Sequence, residues 1–217
     1  MIIKPVVDNK RFPYLLVDDF YTPDEYNLIF EELESFQDIF EYDDSPELQR
    51  VLTNSDTDID FKNNLNGLSN KTRLFLDRTY KNRREESAIL STYIDKIYTD
   101  EIIDAYKQTT PASASFLHTN SDYTQISYYE DGDTYVEHFD SVLHTCLIYM
   151  HKEPKRFTGG NLIFTESNQI INFKNNRLVI FPSYYMHAVN EVSMNEIYKN
   201  KGLGRYCITH FFSITAI

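Results

Sequence analysis

From residue 121 onward the sequence changes its period, and this limits the fold more than any other feature. Eight short runs rich in Tyr, Ile, Val and Phe follow one another with turn residues between them. They are Tyr123–Tyr129, Tyr135–Phe139, Thr145–Met150, Asn161–Thr165, Gln169–Phe173, Leu178–Phe181, His187–Val192 and Arg205–Ile214. Runs this short and this evenly spaced predict a β sandwich, barrel or jelly roll, in which every strand buries one face or both.

Before residue 121 helical signals dominate. Thr22-Pro23-Asp24-Glu25 reads as a capping box with proline at the first helical position. Tyr26, Ile29, Phe30, Leu33 and Phe36 then recur at helical spacing. Two further helices are expected, one from about Glu85 to Tyr98 and one over Asp100–Lys107 ahead of Pro111. Tyr14-Leu15-Leu16-Val17 reads as a strand, and the acidic stretch from Glu41 to Asn70 as a long loop. The predicted architecture is α+β, mainly β: a single domain over 1–217, with a helical support region over 1–120 packed outside a jelly-roll core over 121–217.

Charge and composition exclude several classes. Lys and Arg number 21 against 33 Asp and Glu, a net charge of −12 that argues against nucleic acid or an anionic membrane as partner. The longest apolar runs, such as Leu178–Pro182, fall far short of the roughly 20 residues a spanning helix needs. With two cysteines, Cys146 and Cys207, and no signal-peptide pattern at the start, the expectation is a cytoplasmic protein without a disulfide framework. The acidic residues are unevenly placed, since no aspartate follows Asp140.

One constellation carries chemistry. In His138-Phe139-Asp140 the imidazole and the carboxylate are two residues apart, so on a strand both project from one face. Alone the motif is weak: with six His and 18 Asp in 217 residues, roughly 0.5 chance matches are expected. His187, at the start of a later run, is the natural third ligand. Two imidazoles and one carboxylate leave open positions on the metal, the arrangement of non-haem Fe(II) oxygenases, whereas zinc more often takes a closed set. A 2-oxo acid bound there needs a cation for its far carboxylate, and Arg205 at the start of the last run can grip one bidentately.

These residues stand in an ordered series. Tyr128-Tyr129-Glu130-Asp131-Gly132 precedes His138-Phe139-Asp140, then come Gly159-Gly160-Asn161-Leu162, Phe181-Pro182-Ser183, His187-Ala188-Val189 and Arg205-Tyr206. The series resembles the 2-oxoglutarate- and Fe(II)-dependent dioxygenases, specifically the prolyl 4-hydroxylase branch, with a weaker likeness over Phe12–Glu34. The resemblance implies a double-stranded β-helix, His138, Asp140 and His187 as iron ligands, and Arg205 as partner of the distal carboxylate of 2-oxoglutarate. It implies Tyr149 as a second anchor, Tyr129 in the co-substrate pocket, Leu147 and Val189 as its apolar walls, and Thr209 on the face of Arg205. Fe(II), 2-oxoglutarate and O2 are the implied cofactor and co-substrates, with ascorbate as an accessory reductant. The implied reaction is hydroxylation of a prolyl residue in a peptide or protein, with release of succinate and CO2.

Two departures mark this chain: Asn161 stands where the family pattern has an acidic residue, and Ser193–Leu203 reads as an inserted turn that brings Lys199 and Lys201 near Arg205 in sequence. Rival readings are the same chemistry on free proline or another small metabolite, and a non-catalytic cupin-like binding module. A cysteine hydrolase is disfavoured, because no nucleophile turn precedes either cysteine. If Tyr149 and Arg205 both face inward, strand parity puts Cys207 inside and Cys146 outside, so no disulfide is expected. The seven acidic residues of 41–60, together with Glu130 and Asp131, are expected to form a rim attracting a basic, extended peptide.

Overall fold

The computed structural model describes residues 1–7, 12–36 and 73–215. Three strands come from the N-terminal part: β1 (Ile2–Val6), β2 (Tyr14–Asp18) and β3 (Arg73–Phe75). Ten follow residue 120: β4 (Ser121–Tyr129), β5 (Tyr135–His138), β6 (His144–Met150), β7 (Phe157–Gly159), β8 (Leu162–Phe164), β9 (Gln169–Ile171), β10 (Arg177–Pro182), β11 (His187–Val189), β12 (Val192–Met194) and β13 (Arg205–Ser213). A seven-stranded antiparallel sheet runs β1-β2-β10-β6-β13-β4-β3, a four-stranded one β5-β11-β8-β9, and β12 pairs with β7. This is the double-stranded β-helix expected from the sequence, with its large sheet extended at both edges by strands of the N-terminal part. That part is therefore more than a helical support.

The eight runs become ten strands for local reasons. His187–Val192 breaks after Val189, where Asn190 N–H turns to Asn161 O, and resumes as β12. Phe157–Gly159, too short to show a period, becomes β7 because β12 supplies its partner. The inserted segment is thus a strand followed by a one-turn 3-10 helix at Glu196–Tyr198.

The large sheet is buried on both faces, and alternation assigns each residue to one of two cores. Cys146, Ile148 and Met150 of β6, Leu178 and Ile180 of β10, and Tyr206, Ile208 and Phe212 of β13 pack into a core under the helices. Their neighbours Leu147, Tyr149, Val179, Phe181 and Cys207 pack into a second core between the sheets. Both cysteines are buried and free, Cys146 on the helix side and Cys207 on the inner side, as strand parity required.

The helices are α1 (Pro23–Ser35), α2 (Leu76–Tyr80), α3 (Ala88–Ile97) and α4 (Asp100–Lys107). At the start of α1 both halves of the Thr22–Glu25 capping box form. Glu25 also reaches Lys96 of α3 at 2.9 Å. Helix α3 starts later than the periodicity suggests, because Ser87 caps it by accepting from Leu90 N–H and residues 84–86 form a 3-10 turn instead. The stretch 41–70 lies outside the described residues.

Two buried histidines belong to this scaffold. His144 lies between the hydroxyls of Tyr106 and Ser115, at 2.9 and 2.8 Å. His210 stacks on Tyr93 with ring centroids 3.5 Å apart and bonds Thr124 through Nδ1. Burial holds His210 well below the ordinary value and pulls His144 down to about 4. Unfolding lets both titrate near 6.5. Between pH 6.5 and about 4 the unfolded chain takes up protons that the folded one refuses, so stability falls as pH drops through that window. His144 alone should account for about 2 kcal/mol between pH 8 and 5. Denaturant melts across this range should show the slope, and His144→Gln should flatten part of it.

Candidate active site

Two strands of the small sheet, and the residues just after one of them, bring His138, Asp140 and His187 together. β11 pairs with β5 so that His187 faces His138 directly. Asp140 follows β5, held by a backbone hydrogen bond from its N–H to Ser183 O at 3.0 Å. One ligand-type atom from each residue lies within 4.8 Å of the others. The Nε2 atoms of His138 and His187 sit 3.7 and 3.6 Å from the two Asp140 oxygens.

The protonation pattern of this trio follows from its hydrogen bonds. Nδ1 of His138 lies 2.8 Å from Val136 O, and Nδ1 of His187 lies 2.8 Å from Tyr185 O. A carbonyl can only accept, so each Nδ1 carries the proton and each Nε2 presents a lone pair to the common point. Burial, reinforced by neighbouring His187, pulls His138 down to about 3 and keeps it neutral. Burial raises the Asp140 carboxyl, opposed by His187 and by a hydrogen bond from Thr145. Thr145 Oγ1 donates to Asp140 Oδ2 at 2.6 Å, so the 2.8 Å contact between Thr145 and Ser183 hydroxyls must run from Ser183 to Thr145. These two neutral-imidazole donors and one carboxylate, oriented from behind, could hold a divalent metal.

Arg205 lies deeper. It is 1% exposed, yet Nη1 and Nη2 have no hydrogen-bond partner among the described residues, nor has the buried Tyr149 hydroxyl. The guanidinium carbon sits 4.5 Å over the Tyr129 ring and 5.0 Å over Tyr149. Nε donates to Gly160 O at 2.8 Å. The Gly159-Gly160 turn makes this contact possible. A Cβ on Gly159 would fall 1.9 Å from Glu191 O and one on Gly160 2.6 Å from Arg205 Cδ, and both residues have positive φ. A buried cation with two free donors beside a free hydroxyl fits a carboxylate, and so fits a 2-oxo acid reaching in from the metal.

A cavity joins the two halves. Of the residues singled out from the sequence, Tyr129, His138, Asp140, Leu147, His187, Val189, Arg205 and Thr209 line it. Tyr149 lies behind, meeting the cavity through Arg205. Lys199 and Lys201 lie elsewhere: Lys199 is paired with Asp131 and Glu196, and Lys201 binds Ile197 O. Asn161 is explained by its own bonds. Its Oδ1 accepts from Phe173 N–H and its backbone is tied to Asn190, bracing the glycine turn where an acid was expected.

Sequence reasoning missed Thr145, Ser183, Tyr135 and Arg73. The signal for Thr145 was available, since it is four residues from Tyr149 on one strand and so shares its face. The expected acidic rim is corrected in part. Asp131 is engaged by Lys199 and Met194 N–H, and Glu130 by Tyr128 and Asn200 N–H, so both fasten the inserted segment rather than face a partner. The rest of that rim, 41–60, lies outside the described residues.

Residues 124–213 match the sequence profile of the 2OG-Fe(II) oxygenase superfamily. The segment that builds this cavity lies within that match to the superfamily. Its members use Fe(II), 2-oxoglutarate and O2, and the donor set here suits all three. Similar solved structures include a Pseudomonas putida prolyl-4-hydroxylase (15% identity, 95% of each chain covered, TM-score 0.55). NgTET1 in complex with 5mC DNA is another (11% identity, 98% of this chain and 76% of that one, TM-score 0.52). A viral collagen prolyl hydroxylase from Paramecium Bursaria Chlorella virus-1 covers 97% of this chain and 99% of its own at 13% identity and TM-score 0.48. At such identities the first two show a shared fold. No curated protein matches the sequence.

Two substitutions probe this site from behind. Thr145→Val removes the donor to Asp140 at constant volume and should weaken Mn(II) or Co(II) binding about tenfold by calorimetry. Gly160→Ala should push Arg205 aside and weaken 2-oxoglutarate binding while leaving affinity for the metal alone unchanged.

Proposed function

We propose that this oxygenase hydroxylates an unactivated C–H bond of a prolyl residue in a peptide or protein, using Fe(II) held by His138, Asp140 and His187. One observation carries the reading: a single cavity contains both a three-donor cluster with open positions and a buried guanidinium lacking an anion. In this reading Arg205 and the Tyr149 hydroxyl receive the far carboxylate of 2-oxoglutarate, and Tyr129 fixes the guanidinium plane by stacking. Leu147 and Val189 exclude water from the middle of the co-substrate, and Thr209 lies beside Arg205 on the same strand face. Iron, when bound, supplies the oxidative chemistry that couples decarboxylation of 2-oxoglutarate to hydroxylation. The chain's own part is to bind, orient and shield. Its two Nδ1–H donors keep both imidazoles in the ligating tautomer, and the Ser183–Thr145 relay aims the carboxylate.

The prolyl assignment is supported by the ordered motifs shared with prolyl 4-hydroxylases and by the fold of the Pseudomonas prolyl-4-hydroxylase. A non-catalytic binding module would need neither the metal cluster nor the buried cation, and this chain has both. No described helix is long and apolar enough to cross a membrane.

The test is succinate formation from 2-oxoglutarate with Fe(II), assayed against Pro-rich peptides and free proline. His138→Ala, Asp140→Ala and His187→Ala should each abolish turnover and weaken metal binding. His210→Ala, on the opposite face of the sheet, should cost stability but leave metal binding unchanged. Arg205→Ala should raise the 2-oxoglutarate requirement by tenfold or more, on the order of the 2–5 kcal/mol lost when a buried charge partner is removed. Full activity in any ligand variant would refute the assignment.

A further inference from the structure

A second arginine lies beside the cavity, on the edge strand β3. β3 pairs antiparallel with β4, setting Arg73 opposite Ser127 and Phe75 opposite Gln125. Ser127 and Gln125 line the cavity, and directly paired residues share a face of the sheet. Arg73 therefore projects on the cavity side. Leu74, between them, packs instead into the core under the helices, as alternation demands. The guanidinium carbon of Arg73 lies 4.2 Å over the Tyr135 ring, and that ring is 3.9 Å from the His138 ring. One aromatic ring thus separates Arg73 from the proposed metal ligand. Its positive charge is felt at His138, Asp140 and Tyr129.

Like Arg78 and Arg156, this arginine stacks on an aromatic ring and has no carboxylate partner among the described residues. Arg83, Arg84 and Arg177 each pair with a carboxylate. Among the described residues none pairs with Arg73, in a chain with 33 acidic residues against 21 basic ones. Asp140 is the one carboxylate lining the cavity, and it faces the histidines. Glu137 precedes His138 on β5 and so points to the opposite face of its strand. One cation, Arg205, is thus buried in the cavity lining, and a second, half-buried Arg73, stands behind the lining residue Tyr135.

We propose that Arg73 is a specificity-determining residue that receives a carboxylate of the substrate, held beside the C–H to be hydroxylated. The inference rests on the hydroxylase reading above and deepens it by naming the chemistry next to the reacting carbon. The carboxylate comes either from the substrate's own α-carboxyl group, as in a free amino acid, or from an Asp or Glu flanking the reacting residue in a peptide. It reverses the expectation of a basic peptide drawn from the acidic composition.

The experiment compares matched probes on full-length protein loaded with Fe(II) and 2-oxoglutarate. L-proline is set against L-prolinamide, and an Asp-Pro peptide against its Asn-Pro counterpart, with termini blocked in both peptides. The wild type should favour the carboxylate member of at least one pair, and which pair responds identifies the source. Arg73→Gln should raise KM for that probe about tenfold or more, leave its amide partner unchanged, and erase the preference. Arg73→Lys should restore part of it. Substrate-free succinate formation and the 2-oxoglutarate KM should be the same in wild type and Arg73→Gln. An equal loss on both members of a pair would show that Arg73 only props Tyr135, and would overturn the proposal. So would a wild type that makes succinate without substrate yet turns over neither carboxylate probe or prefers the amides. Absence of succinate under every condition would instead overturn the hydroxylase reading beneath it.

Discussion

The buried guanidinium of Arg205 is the constraint around which the rest is arranged. Placing a full charge where it is 1% exposed is costly unless the surroundings answer it. Here the answer is partial: one carbonyl, two tyrosine faces with a more distant Phe173 ring, and two nitrogens left without partners. Each element of the answer fixes a piece of fold. The carbonyl is that of Gly160, so the glycine turn must come close, and only residues without Cβ allow it. The tyrosine faces belong to β4 and β6, the two strands flanking β13, so Arg205 is clasped across three adjacent strands. The unanswered part is one that an anion would complete.

The metal end follows an opposite principle. Burial holds the His138 imidazole neutral, and backbone carbonyls accept the Nδ1 protons of both His138 and His187, turning each Nε2 toward Asp140. Thr145 links the ends. It stands on β6 with Leu147 and Tyr149 on one strand face, so the strand that presents a hydroxyl to the Arg205 region also steadies the carboxylate of the metal cluster. A shift of β6 would disturb both at once.

Much of this was legible in the sequence, and the gaps have physical reasons. Strand parity assigned Cys146, Tyr149, Arg205 and Cys207 to their correct faces because β6 and β13 are regular and buried on both sides. Residues that act from a distance in sequence were not legible. Arg73 precedes β4 by more than forty residues, and its place depends on β3 joining the sheet edge, a three-residue strand with no periodicity to read. Ser183 was visible as part of a motif, but its hydroxyl matters only because Thr145 lies opposite. Glu130 and Asp131 misled for a related reason. Composition shows charge, not partners, and these two are committed to the inserted segment between β12 and β13.

That insertion shows how the chain lengthens a loop without loosening the site. A longer connection between His187 and Arg205 would ordinarily let the start of β13 wander, since each added residue multiplies the loop's conformations. Here β12 is fastened twice. It pairs with β7, which leads directly into the glycine turn that binds Arg205, and it exchanges backbone hydrogen bonds with the β4–β5 loop through Gly132 and Asp133. Lys199 adds an ion pair to Asp131 in the same loop. The extra residues are thus pinned to the two segments that already position Arg205 and His138. Acidic residues that look like a lure for a basic partner serve instead as anchors, while Arg73, stacked on Tyr135 beside the cavity, is left without a carboxylate partner among the described residues.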